Sequence, residues 1–378
     1  ISLKMVLPAL PKLPEDLGGT AAGVKFSVSL YLLCYAGSAP FWGGFITALG
    51  CRRSIFFSLG ITLSGTLLVI VSPSLAVYII GRTLEGVGIG ATSPICRTML
   101  ADVFKKKELV GRFGIVVSTA AAMPALAPLL GGYLLIWLGW RSIFVFFFLV
   151  AAGYLFIASR KLSEAHLGRS IPGRFSVPGL LTTYLSILKT PDFWGFALPY
   201  ACLTGGVIGY YSALPFWYHV QLGISPHVFS YLALPTVGMY IAGLNGARFL
   251  VKKRALEDVF FLGVLVALFF GGITALFTLL EISGPAPIVI ALSGFALGAG
   301  LVSPTANAGI LSRHRPVAAP ASALVVLGIF GSASLTSAVT MNISVISGLG
   351  EVAGYLCGLS LVALAAGWFW IRRPSRRG

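Results

Sequence analysis

Basic residues cluster along this chain, and the clusters skip every second connector between apolar runs. Arg52 and Arg53, the stretch from Lys105 to Arg112, the long segment after Arg160, Lys252 to Arg254, Arg313 with Arg315, and the closing Arg372, Arg373, Arg376 and Arg377 all fall on one side of the count. The alternate connectors hold chiefly Lys12, Lys25 and Arg141, with Glu15, Asp16 and Glu281. Membrane proteins retain Lys and Arg on the cytoplasmic side. The alternation therefore predicts twelve spans, with both termini and the central linker in the cytoplasm.

Composition agrees with that reading. Of 378 residues, 57% are hydrophobic and only 10% charged, too few charges to coat a water-soluble surface. The net charge of +16 would suggest nucleic acid in a soluble domain. Here the basic residues sit in short connectors, so the expected surroundings are membrane lipid and no nucleic acid. The five cysteines are scattered without metal-ligand spacing, and an odd count argues against a disulfide framework. P-loop, GxSxG and HExxH patterns are all missing from the sequence, so neither an ATPase nor a hydrolase is supported. The expectation is a protein that is not an enzyme and has no cofactor and no metal.

The apolar run at residues 1–10 is half the length a bilayer needs. It reads as the end of a first span whose beginning precedes residue 1. Five more spans follow, at about 24–48, 55–71, 75–100, 113–138 and 142–159. After a basic linker, six others run at about 192–218, 227–250, 259–280, 287–311, 320–347 and 351–371. The expected organisation is an all-α membrane protein: a six-helix bundle over 1–160, a cytoplasmic linker over 161–191, and a second bundle with a basic tail over 192–378. Two related bundles of this kind place a substrate site between them near the midplane.

The fourth span contains Arg82-Thr83-Leu84-Glu85-Gly86-Val87-Gly88-Ile89-Gly90. Arg82 and Glu85 are three residues apart and share a helix face. Charges inside a span are costly unless they pair, meet water or do work. Pairing alone could explain them, but Glu85 is the only acid deep within an expected span. It is therefore the first candidate to carry a proton, with Arg82 as its partner. Burial favours a neutral carboxyl and a neighbouring guanidinium favours a charged one, so separating the pair would move a proton.

Other stretches resemble the major facilitator superfamily, and within it the twelve-helix drug:proton antiporters of the bicyclomycin-resistance (Bcr/CflA) group. Leu7-Pro8-Ala9-Leu10-Pro11 resembles the end of that group's first helix. Arg82 to Gly90 resembles the helix-4 motif, and Arg97 with Asp102 the end of that helix. Pro124, Pro128, Gly131 and Gly132 resemble the proline-glycine motif of exporters, and Gly139-Trp140-Arg141 with Phe144 the turn into helix 6. The resemblance implies the major-facilitator fold in a bacterial inner membrane, and a proton-coupled carrier, most simply a monomer, that exports small organic molecules. It also implies gating or structural roles for Gly43, Thr47, Gly50, Arg52, Arg53, Arg97, Asp102, Pro124, Pro128, Gly131 and Gly132.

Two positions depart from the family. Thr47 and Ala48 stand where an Asp and its neighbour normally belong to a cytoplasmic charge cluster that helps hold the outward-open state. Lys4 stands where the group usually has an Asp. A cavity holding Lys4 and Arg82 would be positive and would favour anions. The alternative is therefore a carrier for an anionic metabolite, such as a carboxylate-rich siderophore. Tyr200, Tyr210, Tyr211 and Asn307 join Lys4, Arg82 and Glu85 as candidate substrate contacts. Each of these, like Asn245, could equally be a hydrogen bond between helices.

Overall fold

A computed structural model describes residues 5–6, 9–10, 13–104, 106–161, 177–222, 226–280, 285–346 and 349–372, and for Pro124, Pro128 and Tyr211 the backbone alone. Lys4 lies outside the described residues. No strand occurs among those described. Six helices among them are long and apolar enough to cross a membrane. Tyr133, Ile136, Trp137 and Phe269 point outward, an arrangement that suits lipid as the solvent.

A short turn of helix, α1 (Leu13–Asp16), precedes α2 (Ala21–Ile70), which covers the second and third expected spans. The two arms of α2 meet at Gly50, whose φ of 82° and ψ of 165° lie in a region open essentially only to glycine. Gly50→Ala is expected to cost about 1–3 kcal/mol, visible as a lower unfolding midpoint of the detergent-solubilised protein.

The fourth expected span is broken in two, as α3 (Leu75–Ile89) and α4 (Thr92–Val103). Pro94 explains the break, since it has no N–H to bond the carbonyl of Gly90 and its ring crowds that carbonyl. The chain tightens there, with Ala91 N–H donating to Gly88 O at 3.3 Å. Next come α5 (Lys106–Leu138) and α6 (Trp140–Lys161). The linker is not wholly irregular, because α7 (Val177–Leu188) forms within it and buries Tyr184 and Ile187. At 12 residues α7 spans about 18 Å, too short to cross a bilayer. The second half holds α8 (Pro191–Leu222), α9 (Pro226–Lys253), α10 (Leu256–Leu279), α11 (Pro285–Arg313), α12 (Ala318–Ile346) and α13 (Leu349–Gly367).

The chain forms two compact units. One comprises Ile1–Val103, Ala120–Thr183 and Pro316–Leu327; the other comprises Phe104–Thr119, Tyr184–Arg315 and Gly328–Gly378. Within the first, α3 packs closely on both arms of α2. A Cβ on Gly86 would fall 2.7 Å from Tyr31 O on the first arm, and one on Gly88 would fall 2.7 Å from Ser58 O on the second. On the second arm, a Cβ on Gly65 would fall 2.6 Å from Glu85 N. Helix backbones meet this closely only where side chains are absent.

The second unit repeats the device. There α11 packs on α9 and α10. A Cβ on Gly300 would fall 3.1 Å from Gly243 Cα, and one on Gly298 would fall 2.6 Å from Gly263 O. The sequences match as well. Gly88-Ile89-Gly90-Ala91-Thr92-Ser93-Pro94 and Gly298-Ala299-Gly300-Leu301-Val302-Ser303-Pro304 share the pattern Gly-x-Gly-x-x-Ser-Pro. Even the exceptions correspond. Gly65 accommodates Leu84 in the first unit, whereas in the second Gly294, in the register of Leu84, accommodates the ring of Phe270.

Candidate functional site

The buried charges of α3 form the centre of the first unit. Arg82 and Glu85 are both 0% exposed, and Arg82 Nη1 donates to Glu85 Oε2 at 2.6 Å. Arg82 Nε and Nη2 and Glu85 Oε1 are buried without a hydrogen-bond partner among the described residues. Aromatic rings supply the surroundings instead. The guanidinium carbon lies 4.2 Å from the Tyr31 ring centroid and 5.6 Å from that of Phe144. Tyr78, Trp140 and Phe144 pack edge to face, with centroids 5.9–6.0 Å apart. Such rings attract a cation through their negative faces.

Local sequence puts those rings in place. Gly139, at φ 77°, turns the chain from α5 into α6. Arg141 then donates to Ile70 O at 3.2 Å and to Ser72 O at 3.0 Å. A cation suits the carbonyl end of a helix, so this clamp ties the start of α6 to the end of α2. Trp140 and Phe144 are thereby brought against Tyr78 and Arg82. At the other end of α3, the break described above leaves Val87 O without its helical donor. Trp42 Nε1 donates to it at 2.8 Å and Ser38 Oγ at 3.2 Å.

The gating candidates occupy simpler surroundings. Thr47 Oγ1 donates to Gly43 O of its own helix at 2.9 Å, so it takes over no charge role. Arg97 Nε donates to Ser93 Oγ at 3.1 Å. Asp102 lies near enough to Cys51 to act on it electrostatically, which brings it to the turn that carries Arg52 and Arg53. Arg52 stacks over Phe56 at 5.8 Å. Gly131 packs against the carbonyl of Met5, whereas Gly132 faces open space.

In the second unit Tyr200, Tyr210 and Asn307 are all buried. Ser303 Oγ donates to Tyr200 OH at 3.2 Å, and Asn307 Nδ2 donates to Ser303 O at 2.8 Å. Tyr200 and Asn307 thus meet at Ser303, which sequence reasoning did not single out. Tyr210 sits ten residues further along α8, about 15 Å from Tyr200 on a straight helix. Thr204 Oγ1, one turn from Tyr200, is buried without a partner among the described residues. Asn245 Nδ2 donates to Ser118 Oγ at 3.3 Å, a bond between helices. His314, expected in a solvated connector, is instead buried between Thr190 Oγ1 and Ile310 O, each at 3.0 Å.

The repeat isolates the charged pair. Arg82 and Glu85 lie six and three residues before Gly88, and Leu292 and Phe295 hold the same places before Gly298. Both are buried and apolar. The place of Tyr31 is held by Thr236, whose Oγ1 lies 3.1 Å from Ser293 Oγ. Packing of the central helix therefore does not require the charges. Sequence reasoning also passed over Tyr31 and Tyr78 as the walls of the site. The shared Gly-x-Gly-x-x-Ser-Pro pattern is the signal that points to Ser303.

Membrane-spanning helices, an internally repeated glycine-packed helix and one buried ion pair define an integral membrane carrier. The chain belongs to the Major Facilitator Superfamily, whose family model matches residues 1–338. It is 25% identical to Multidrug resistance protein D of Escherichia coli (strain K12), over 84% of this chain and 79% of that protein. It is 23% identical to the Bicyclomycin resistance protein homolog of Haemophilus influenzae, over 85% and 80% respectively. The crystal structure of the human organic anion transporter MFSD10 superposes with a TM-score of 0.73 at 13% identity, covering 97% of this chain and 95% of that one. This is the major-facilitator fold, and the chain is a multi-pass membrane transporter.

Proposed function

We propose that this transporter is a proton-coupled exporter of small organic molecules, working by alternating access in the bacterial inner membrane with both termini in the cytoplasm. The observation that carries the reading is the Arg82–Glu85 pair, fully buried in one central helix and replaced by Leu292 and Phe295 in its repeat. A pair that packing does not need, kept at the cost of desolvating two charges, is best explained by work. Glu85 takes and releases the proton, and Arg82 favours its charged form. The membrane potential contributes about 2.3 kcal/mol per charge per 100 mV to such a cycle. Residues 1–160 and 192–378 act as two bundles that rock about the substrate, and the protein works as a monomer. Tyr200, Ser303 and Asn307 offer the substrate uncharged hydrogen bonds, and Asp102 with Arg52, Arg53 and Arg97 gates the cytoplasmic side. The alternation of basic connectors supports the orientation. The names of the relatives support export of drug-like molecules, and the anionic-metabolite alternative rested on Lys4, outside the described residues.

Flux into proteoliposomes under an imposed pH gradient tests this. Bicyclomycin and a fluorescent lipophilic cation serve as probes, with a pH-sensitive dye reporting protons. Wild type is expected to move protons in exchange for a probe. Glu85→Gln is expected to lose that exchange, by a factor of about 10² or more if the proton step is essential. Intact proton-driven flux in Glu85→Gln would remove Glu85 from the coupling role.

A further inference from the structure

Arg82 is poorly held by hydrogen bonds. Of its three guanidinium nitrogens only Nη1 donates to a partner, Glu85 Oε2, among the described residues. What fixes the rest of the plane is the Tyr31 ring at 4.2 Å, with Phe144 further off at 5.6 Å. Tyr31 is itself held firmly. It is buried, and its carbonyl lies so close to Gly86 that a Cβ there would fall 2.7 Å away. The ring therefore cannot leave Arg82 without parting α2 from α3. In the second unit, where the charges are absent, the ring is absent too, and Thr236 stands in its place.

We propose that Tyr31 is a positioning residue for proton coupling: its ring stabilises the Arg82 cation in the half of the cycle when Glu85 is protonated and no longer a counter-ion. This rests on the reading of Glu85 given above. Protonation of Glu85 leaves a buried guanidinium without a negative partner, a state that is strongly unfavourable unless something else attracts the cation. A desolvated aromatic face does so. Tyr31 thus makes the protonated state accessible at moderate pH. The titratable or charged groups against the pair are Tyr31 on the first arm of α2, Tyr78 on α3 itself and Cys34 beside Gly86. The second arm presents Gly65 and Val69 to α3, and α6 presents Trp140 and Phe144, none of which titrates.

The test compares Tyr31→Phe, which keeps the ring, with Tyr31→Leu, which fills the space without one. The readout is the pH dependence of proton-driven probe flux in proteoliposomes, measured beside Glu85→Gln. Tyr31→Phe is expected to follow wild type. In Tyr31→Leu the protonated state is less favourable, so more acid is needed to reach it. Its profile should move toward lower pH by about one unit, the order of a desolvated cation–π contact. A Tyr31→Leu profile of unchanged midpoint, with only its amplitude reduced, would mean that the ring merely packs and would overturn the proposal. Equal shifts in Tyr31→Phe and Tyr31→Leu would overturn it too, by assigning the effect to the hydroxyl. If Glu85→Gln keeps full proton-driven flux, the coupling assignment itself fails. If Glu85→Gln is inactive and Tyr31→Leu is unshifted, the failure belongs to Tyr31 alone.

Discussion

Arg82→Leu, with Glu85 left in place, is expected to destabilise the folded protein by about 3–5 kcal/mol, because it strands a carboxylate in a fully buried site. Expression in the membrane and the unfolding midpoint in detergent should both fall sharply. The informative companion is the double substitution Arg82→Leu with Glu85→Phe. It installs in the first unit the residues that the second already uses at the matching places, Leu292 and Phe295. Replacing a buried ion pair with well-packed apolar side chains is often neutral or stabilising, so the double variant should recover most of the lost stability. It should nevertheless show no proton-driven flux. A protein that folds well without the pair and transports nothing would separate its chemistry from its packing. Proton-driven flux at the wild-type rate in the double variant would mean that the coupling group lies elsewhere.

The second large effect concerns two glycines five residues apart on one arm of α2. Inside a helix, alanine in place of glycine is worth about 0.5–1 kcal/mol in favour of alanine when nothing is in the way. At Gly60 a Cβ meets nothing, and Gly60→Ala should stabilise the protein by about that amount. At Gly65 the same atom would lie 2.6 Å from Glu85 N and 2.7 Å from Gly81 O. These are backbone atoms, which cannot swing aside. Gly65→Ala must push α3 away from α2, and overpacking of this kind costs about 1–3 kcal/mol or more. It should also weaken coupling, since the displaced helix carries Glu85. Opposite shifts in thermal midpoint for the two alanines would support the close approach of α2 and α3. A stabilised Gly65→Ala would disprove it.

Much of the site could be read from the residues alone. Two charges three places apart in a long apolar run have few ways to be arranged, because lipid tolerates neither unless they share a helix face. The spacing of Arg82 and Glu85 thus implied their contact. The glycines after them implied a close helix neighbour, and Gly139-Trp140-Arg141 implied a turn. Two features misled. The apolar run over 75–100 reads as one span, yet Pro94 divides it, since hydropathy does not register a missing N–H. The linker reads as irregular because its basic residues dominate its composition, yet α7 forms where that composition gives way to leucines.

By itself the sequence determined an all-α membrane protein, the number and order of its apolar runs, and the position of the single buried acid. Those follow from the bilayer, which demands long runs that satisfy their own backbone and penalises every charge within them. Only the tertiary structure decided what surrounds that acid. Tyr31, Tyr78 and Phe144 come from three different helices, and their distances to Arg82 depend on how closely glycine-lined backbones approach and on the clamp of Arg141 at the end of α2. Hydrophobic periodicity records which face of a helix avoids water. In a membrane almost every face does, so the sequence cannot say which side chains meet.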